Sequence, residues 1–326
     1  MSRRSFVLRR LAGMVLTVWA VLTTAFAVVV FTTDPAETRI VQSASMSGED
    51  PSEAVDAYLA ATNQNVPVSE RYVDWLVGLA KLDLGWSYTR EAAVTTLLAD
   101  HVAFTLVYFL PALAFAVIGA TGIRLYTGAA EDTRLDRLTD GLSYVAVSVP
   151  VFLFAYAVKW WVLPAYFVAT NDEIAYTATA GPLAPGNLQA AVFPATVMGL
   201  YLFGIQLRYA GAELGEYASA EFVKTARGKG SSVWRVGRHM LRNAVVPLAS
   251  VFFTDLFGMV LLAVYVVEVI ASVPGLGGLT VNVMTGGHDL PLMLGVVLLP
   301  ALVGVVANFL RDVGYALFYP RVELES

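Results

Sequence analysis

The chain contains no cysteine, which excludes disulfides, thiolate nucleophiles and cysteine-ligated metals. Its three histidines, His101, His239 and His288, stand far apart, so no zinc-binding spacing is present. Charged residues make up only 14% of the 326, against about 25% in soluble globular proteins. A phosphate-binding loop needs G-x-x-x-x-G-K-[ST]; the one Gly-Lys pair, Gly228-Lys229, is followed by Gly230. The chain is therefore not expected to bind ATP in that way. Hydrophobic residues, by contrast, reach 57%, and the mean hydropathy is +0.64. So much apolar side chain in one chain has to be buried in lipid.

A spanning helix needs roughly 20 mostly apolar residues. Six stretches qualify: Leu11–Phe31, Val102–Ile123, Leu142–Leu163, Leu188–Leu207, Val245–Val273 and Leu290–Phe318. An all-α membrane protein of six transmembrane helices is expected. Lys and Arg set its orientation. Sixteen of the 21 basic residues fall before the first span, between the second and third, between the fourth and fifth, and at the C-terminal end. Both termini are thus expected to be cytoplasmic. Residues 1–32 read as the N-terminus and first span, 33–100 as an extracellular loop, and 101–326 as a five-helix core with a cytoplasmic loop at 211–246. Ser2-Arg3-Arg4-Ser5-Phe6-Val7 imitates a twin-arginine export signal. The apolar run that follows is too long for a cleavable signal, and no clean A-x-A site follows it.

The first half of the long external loop is rich in Ser, Glu, Asp and Asn and reads as polar and mobile. Its second half, Tyr72–Leu79, is amphipathic at helical spacing. It suits a helix on the membrane or over a pore mouth, and equally one packed on the bundle. Inside the spans, ionisable residues are costly and often functional. Asp255 reads either as lining a pathway or as a bundle-facing carboxylate with a local partner. Glu268 reads as a cap near Pro274-Gly275, Lys159 as a snorkelling cation, and Trp160-Trp161 as an interfacial aromatic belt. Asp255 and Glu268 lie too far apart on one helix to form a catalytic dyad.

The longest cytoplasmic polar stretch, 216–247, reads as two short helices. The first carries Glu216 and Glu221 early and Lys224, Arg227 and Lys229 late, which suits the helix dipole. Gly228 and Gly230 end it, and Ser231 or Ser232 caps the second. There Val233, Val236, Met240 and Leu241 share one face, and Arg235, Arg238, His239 and Arg242 the other, suited to lipid phosphates or an acidic partner.

Glu221-Phe222-Val223-Lys224-Thr225-Ala226-Arg227-Gly228-Lys229-Gly230 and Arg238-His239-Met240-Leu241-Arg242-Asn243-Ala244-Val245-Val246-Pro247 closely resemble the coupling loop of ABC importer permeases, in the dipeptide/oligopeptide/nickel family. Gly228 replaces the usual alanine and should soften the helix end by up to ~1 kcal/mol. Trp75-Leu76-Val77-Gly78-Leu79 with Leu82-Asp83-Leu84-Gly85, Leu135-Asp136-Arg137-Leu138, Ser148-Val149-Pro150, Pro274-Gly275-Leu276-Gly277 and Pro320-Arg321-Val322 extend the resemblance over most of the chain. The N-terminal half of the external loop departs from it.

The resemblance implies a type I ABC importer permease fold that takes up peptides or similar small solutes. It implies no catalytic residue, no metal and no cofactor bound by this chain. ATP would be hydrolysed on two cytoplasmic ATPase partners. A second homologous permease, an extracellular solute-binding protein and the lipid bilayer complete the partner set; nucleic acid is not among them. It implies an ATPase-coupling role for Glu221, Phe222, Val223, Lys224, Ala226, Arg227 and Gly230. In that role Phe222, Val223 and Ala226 form the docking face, Lys224 and Arg227 pair with acids on the ATPase, and Ala226 and Gly230 stay small where backbones approach. A secondary transporter is the main competing reading; it typically has more spans, with repeated halves.

Overall fold

The computed structural model describes residues 3–32, 34–130, 133–170, 174–251, 257–286 and 289–318. The chain forms α1 (Arg3–Phe31), α2 (Pro35–Ser47), α3 (Pro51–Ala61), α4 (Val68–Ala80), β1 (Trp86–Ser87), β2 (Ala92–Ala93), α5 (Val94–Ala130), α6 (Thr133–Ser148) and α7 (Val151–Ala157). After the single π-turn Val158–Val162 come α8 (Leu163–Thr170), α9 (Pro185–Ala218), α10 (Glu221–Gly228), α11 (Val233–Val251), α12 (Phe257–Ala271), α13 (Leu276–Gly286) and α14 (Leu290–Phe318). The two strands pair antiparallel over two residues each. The all-α expectation holds.

Among the described residues, five helices are long and apolar enough to cross a membrane: Val7–Phe31, Val94–Ala130, Val151–Ala169, Pro185–Ala218 and Leu290–Asp312. The broken pair Val260–Ala271 and Leu276–Thr285 makes a sixth if it counts as one span. Two expected spans shift. The third starts at Val151, because Pro150 cannot continue α6: it takes an extended ψ of 137° and begins a new helix;. Val245 belongs to the amphipathic α11, and the next apolar stretch begins later.

Chain contacts divide the protein into two compact units. The first comprises residues 1–11, 103–274 and 306–326; the second comprises 12–102 and 275–305. In the first unit, α9 is the central post, contacted by α6, α7, α11 and α12. Its core gathers Tyr108, Ala116, Val197, Met198, Leu202 and Val267, each at most 1% exposed. Small residues let the helices close up. A methyl added at Gly204 of α9 would fall 1.9 Å from Ala146 Cβ on α6.

In the second unit, the loop expected to be mobile forms α2 and α3. Asp50 caps α3, accepting from Ser52 N at 2.9 Å, with Pro51 at the first helical position;. Asp34, 5% exposed, accepts from Tyr58 Oη at 2.6 Å and Gln64 Nε2 at 3.3 Å. Burial, and then the Asp34 carboxylate, push the Tyr58 phenol well above its ordinary pKa. Polarity hid the order here, because the acids and amides are spent on caps and buried bonds. The amphipathic segment is α4, and it packs on the bundle. Tyr72 and Trp75 lie 5.1 and 5.5 Å from the Phe26 ring, and the Thr23 and Tyr72 hydroxyls share a 2.8 Å hydrogen bond.

Candidate functional site

The short helix α10 carries six of the seven residues expected to couple, and Gly230 follows its C-cap. Glu221 sits in its first turn and Arg227 in its last, as the dipole favours;. It ends in a Schellman motif: Gly230 N–H bonds Arg227 O at 2.8 Å, and Ser231 N–H bonds Ala226 O at 3.1 Å;. Gly230 stands at φ +71° with nothing within 4 Å of an added Cβ. Nothing else in the described chain crowds this glycine. What requires glycine is the left-handed backbone.

The two faces of α10 are also assigned differently from the expectation. Val223 is fully buried, in a cluster with Ala129, Ala210, Leu214, Val236, Met240 and Ala244, and Ala226 packs against the same cluster. Neither stands on the outer face. That face carries Glu221, Phe222, Lys224 and Thr225, with Phe222 39% exposed. Lys224 Nζ bonds Glu221 Oε1 at 2.8 Å, and this holds the Glu221 carboxyl below its ordinary range.

Arg227 turns inward. Its guanidinium donates to Gly128 O and, at 3.3 Å, to Ala129 O, the last carbonyls of α5. A cation there satisfies acceptors that the helix leaves open. Arg227 therefore ties α10 to the end of a long apolar helix instead of pointing out to a partner. The helix that follows agrees with its periodicity except at Val233, which is 38% exposed at its start. Val236 and Met240 are buried, while Arg235, Arg238, His239 and Arg242 are exposed, with Trp234 81% exposed beside them.

Beside this junction lies a buried cation that sequence reading placed only among the topology-setting basics. Arg124, 4% exposed, donates to Leu207 O at 2.8 Å, Asp136 Oδ1 at 2.9 Å and Asp140 Oδ1 at 2.6 Å. It binds α5 to α6 and α9 in one node. Gly211 makes room for it, since an added methyl there would meet the guanidinium at 2.8 Å. The available signal was Asp136 and Asp140 four residues apart on one helix, a pair that asks for a shared cation.

Higher in the first unit, Glu268 is fully buried and accepts from Thr105 Oγ1 at 2.6 Å and Tyr108 Oη at 3.1 Å. It joins α12 to α5. Lys159 Nζ donates to Ile270 O at 2.6 Å, so it is anchored at the end of α12 instead of snorkelling. Trp160 and Trp161 are 67% and 80% exposed, as an interfacial belt requires;. Asp255 and His288 lie outside the described residues.

In the second unit Asp289, 2% exposed, was missed. Its Oδ2 accepts from Ser87 Oγ at 2.7 Å, Thr89 N at 3.0 Å and Thr89 Oγ1 at 2.8 Å, and its Oδ1 from Leu292 N at 3.2 Å. It caps α14 and clasps the external hairpin at once. An aspartate three residues before the helical N–H it caps, with Pro291 between, was the legible sign.

Apolar helices of spanning length, one of them bonded to a short polar helix, mark a multi-pass membrane protein. The chain belongs to the family of binding-protein-dependent transport system inner membrane components, the permease subunits of ABC importers, whose family model matches residues 120–324. A Brucella abortus protein provisionally named a peptide transport system permease is 28% identical over 284 residues, 84% of this chain and 86% of the relative. The inner membrane ABC transporter permease protein YejB of Escherichia coli O157:H7 is 27% identical over 279 residues, 80% of this chain and 73% of its own. The glutathione transport system permease protein GsiC of Escherichia coli O6:H1 is 25% identical over 320 residues, 98% of both chains. The fold is the all-α fold of a type I importer permease.

Proposed function

We propose that this permease carries peptides across the membrane and takes its drive from ATPases docked on α10. The observation that carries the reading is the two-faced α10. Its inner face is buried and bonded to α5, and its outer face presents Phe222 among Glu221, Lys224 and Thr225. Such a helix is a small handle: force applied to its outer face passes directly to α5. An ATPase that prefers one handle position in one nucleotide state then biases the spans. The peptide class follows the printed names of the relatives. In this reading the chain does no chemistry and binds no cofactor, and ATP is hydrolysed on two partner subunits. A second permease completes the pathway and an external binding protein delivers the solute. The basic connections put α10 and both termini in the cytoplasm and residues 33–100 outside.

The absence of native cysteine permits a direct test. Thr225→Cys on the outer face, with Met46→Cys (Met46 is 86% exposed) as the external control, is cross-linked in native membranes. The expected adduct joins Thr225→Cys alone to a soluble ATPase. An ATPase adduct at Met46→Cys overturns the topology, and none at Thr225→Cys in well-expressed protein overturns the handle.

A further inference from the structure

A cavity of about 630 Å³ lies in the first unit between α5, α9 and α11, with Leu113, Val117, Leu241 and Leu248 among its walls. That volume is in the range of small-molecule sites. Gln206 of α9 borders it, is only 5% exposed, and its amide finds no hydrogen-bond partner among the described residues. Thr121 of α5 is the other polar side chain on its lining. An amide that opens onto an otherwise apolar cavity of a membrane protein is costly to leave unpaired. Its presence calls for an occupant that supplies both a donor and an acceptor.

Three kinds of occupant fit an apolar cavity, and they differ in what they offer an amide. Lipid tails offer nothing polar. A helix of a partner subunit has its backbone groups already paired within itself. An extended peptide carries free N–H and C=O groups side by side, and the primary amide of glutamine matches them with one acceptor and two donors. We infer that this cavity is a peptide subsite in which Gln206 binds the backbone of the passing peptide while the apolar walls accept varied side chains. The assignment rests on the peptide reading above. It explains how one pathway holds different sequences: the polar contact reads what all peptides share.

The test uses the complete importer, purified with its partner subunits and reconstituted in liposomes with its binding protein. Uptake of tetra-alanine is compared with that of tetra-alanines N-methylated at one backbone nitrogen at a time, which lose one donor. Selection by the binding protein multiplies every ratio equally, so only the change between variants reports on Gln206. In Gln206→Leu the preference for the unmethylated peptide is expected to fall roughly tenfold at one methylation position, and in Gln206→Asn by less. An unchanged ratio in both variants overturns the subsite while leaving peptide transport standing. A wild-type importer that takes up no peptide overturns the peptide reading and the occupant with it. Gln206→Cys carrying benzophenone maleimide supplies a second measurement that needs no uptake. Photo-adducts with added tetra-alanine support the subsite, and adducts with the partner permease alone, peptide or not, overturn it.

Discussion

Removing the Arg227 side chain tests the handle most directly. Arg227→Ala deletes two bonds from a guanidinium to carbonyls at the end of α5. A hydrogen bond to a charged group contributes about 1.5–3 kcal/mol, and a cation at a helix C-terminus adds roughly 0.3–1 kcal/mol. Both bonds are only partly buried, so the low ends apply. The attachment of α10 to α5 should then weaken by about 3.3 kcal/mol, a shift of roughly 250-fold in any equilibrium it biases. Val223 remains buried in its cluster, so the helix should still form and the ATPase still dock. The expected phenotype is uncoupling: ATP hydrolysis persists, and peptide taken up per ATP falls several-fold and by at most that factor. Arg227→Lys, which keeps the charge and loses the planar fork, should lie between. The assay measures uptake and phosphate release in the same proteoliposomes. A wild-type ratio in Arg227→Ala would refute the argument. A parallel loss of hydrolysis, uptake and subunit assembly would also refute it, since the contact would then hold the complex together without transmitting force.

Four further outcomes follow from the same geometry. Gly230→Ala forces a side chain into the left-handed region and should cost about 1 kcal/mol, read as a lower temperature of aggregation in detergent. Gly211→Ala drives a methyl into the Arg124 guanidinium and should destabilise by about 1–3 kcal/mol; combined with Arg124→Lys the two losses should fall short of their sum in a double-mutant cycle. Asp289→Ala strips the buried Ser87 hydroxyl and the exposed Thr89 of their acceptor and should cost about 1–3 kcal/mol, read as faster proteolysis of the external hairpin. Tyr58 has a raised folded pKa, so its contribution to stability is intact below the unfolded phenol value of about 10 and is lost as pH rises from there through the folded value. Tyrosinate absorbance at high pH should lose one late-titrating tyrosine in Tyr58→Phe.

Lipid burial, and the short helices at 221–228 and 233–251, were readable because each rests on a strong local pattern: apolar runs, dipole-matched charges, and glycine at a stop. Which face of α10 points inward was not readable. Val223 and Phe222 are both apolar, and only the neighbours Ala210, Leu214 and Met240, brought in from α9 and α11, decide between them. Arg227 misled for a related reason: on a polar helix a cation suggests an outside partner, while its acceptors are backbone carbonyls, which no sequence pattern marks. Arg124, Asp289 and Glu268 bind partners far along the chain, so their roles depend on packing. Gln206 gave no signal because one glutamine in an apolar run counts only when packing sets it on a cavity wall.

The two bonds on α5, at Thr105 to Glu268 and at Gly128 to Arg227, lie about 35 Å apart along one helix;. A rod held at two such points is a lever with a fixed fulcrum. Moving its Gly128 end sideways by 1 Å about the Glu268 end tilts it by roughly 2°. Pro111 sits between them near the fulcrum, where the missing N–H leaves the rod least stiff. Stiffness, then, is a property on which this machine depends: glycines placed between Pro111 and Gly128 would let the handle move and the fulcrum stay still.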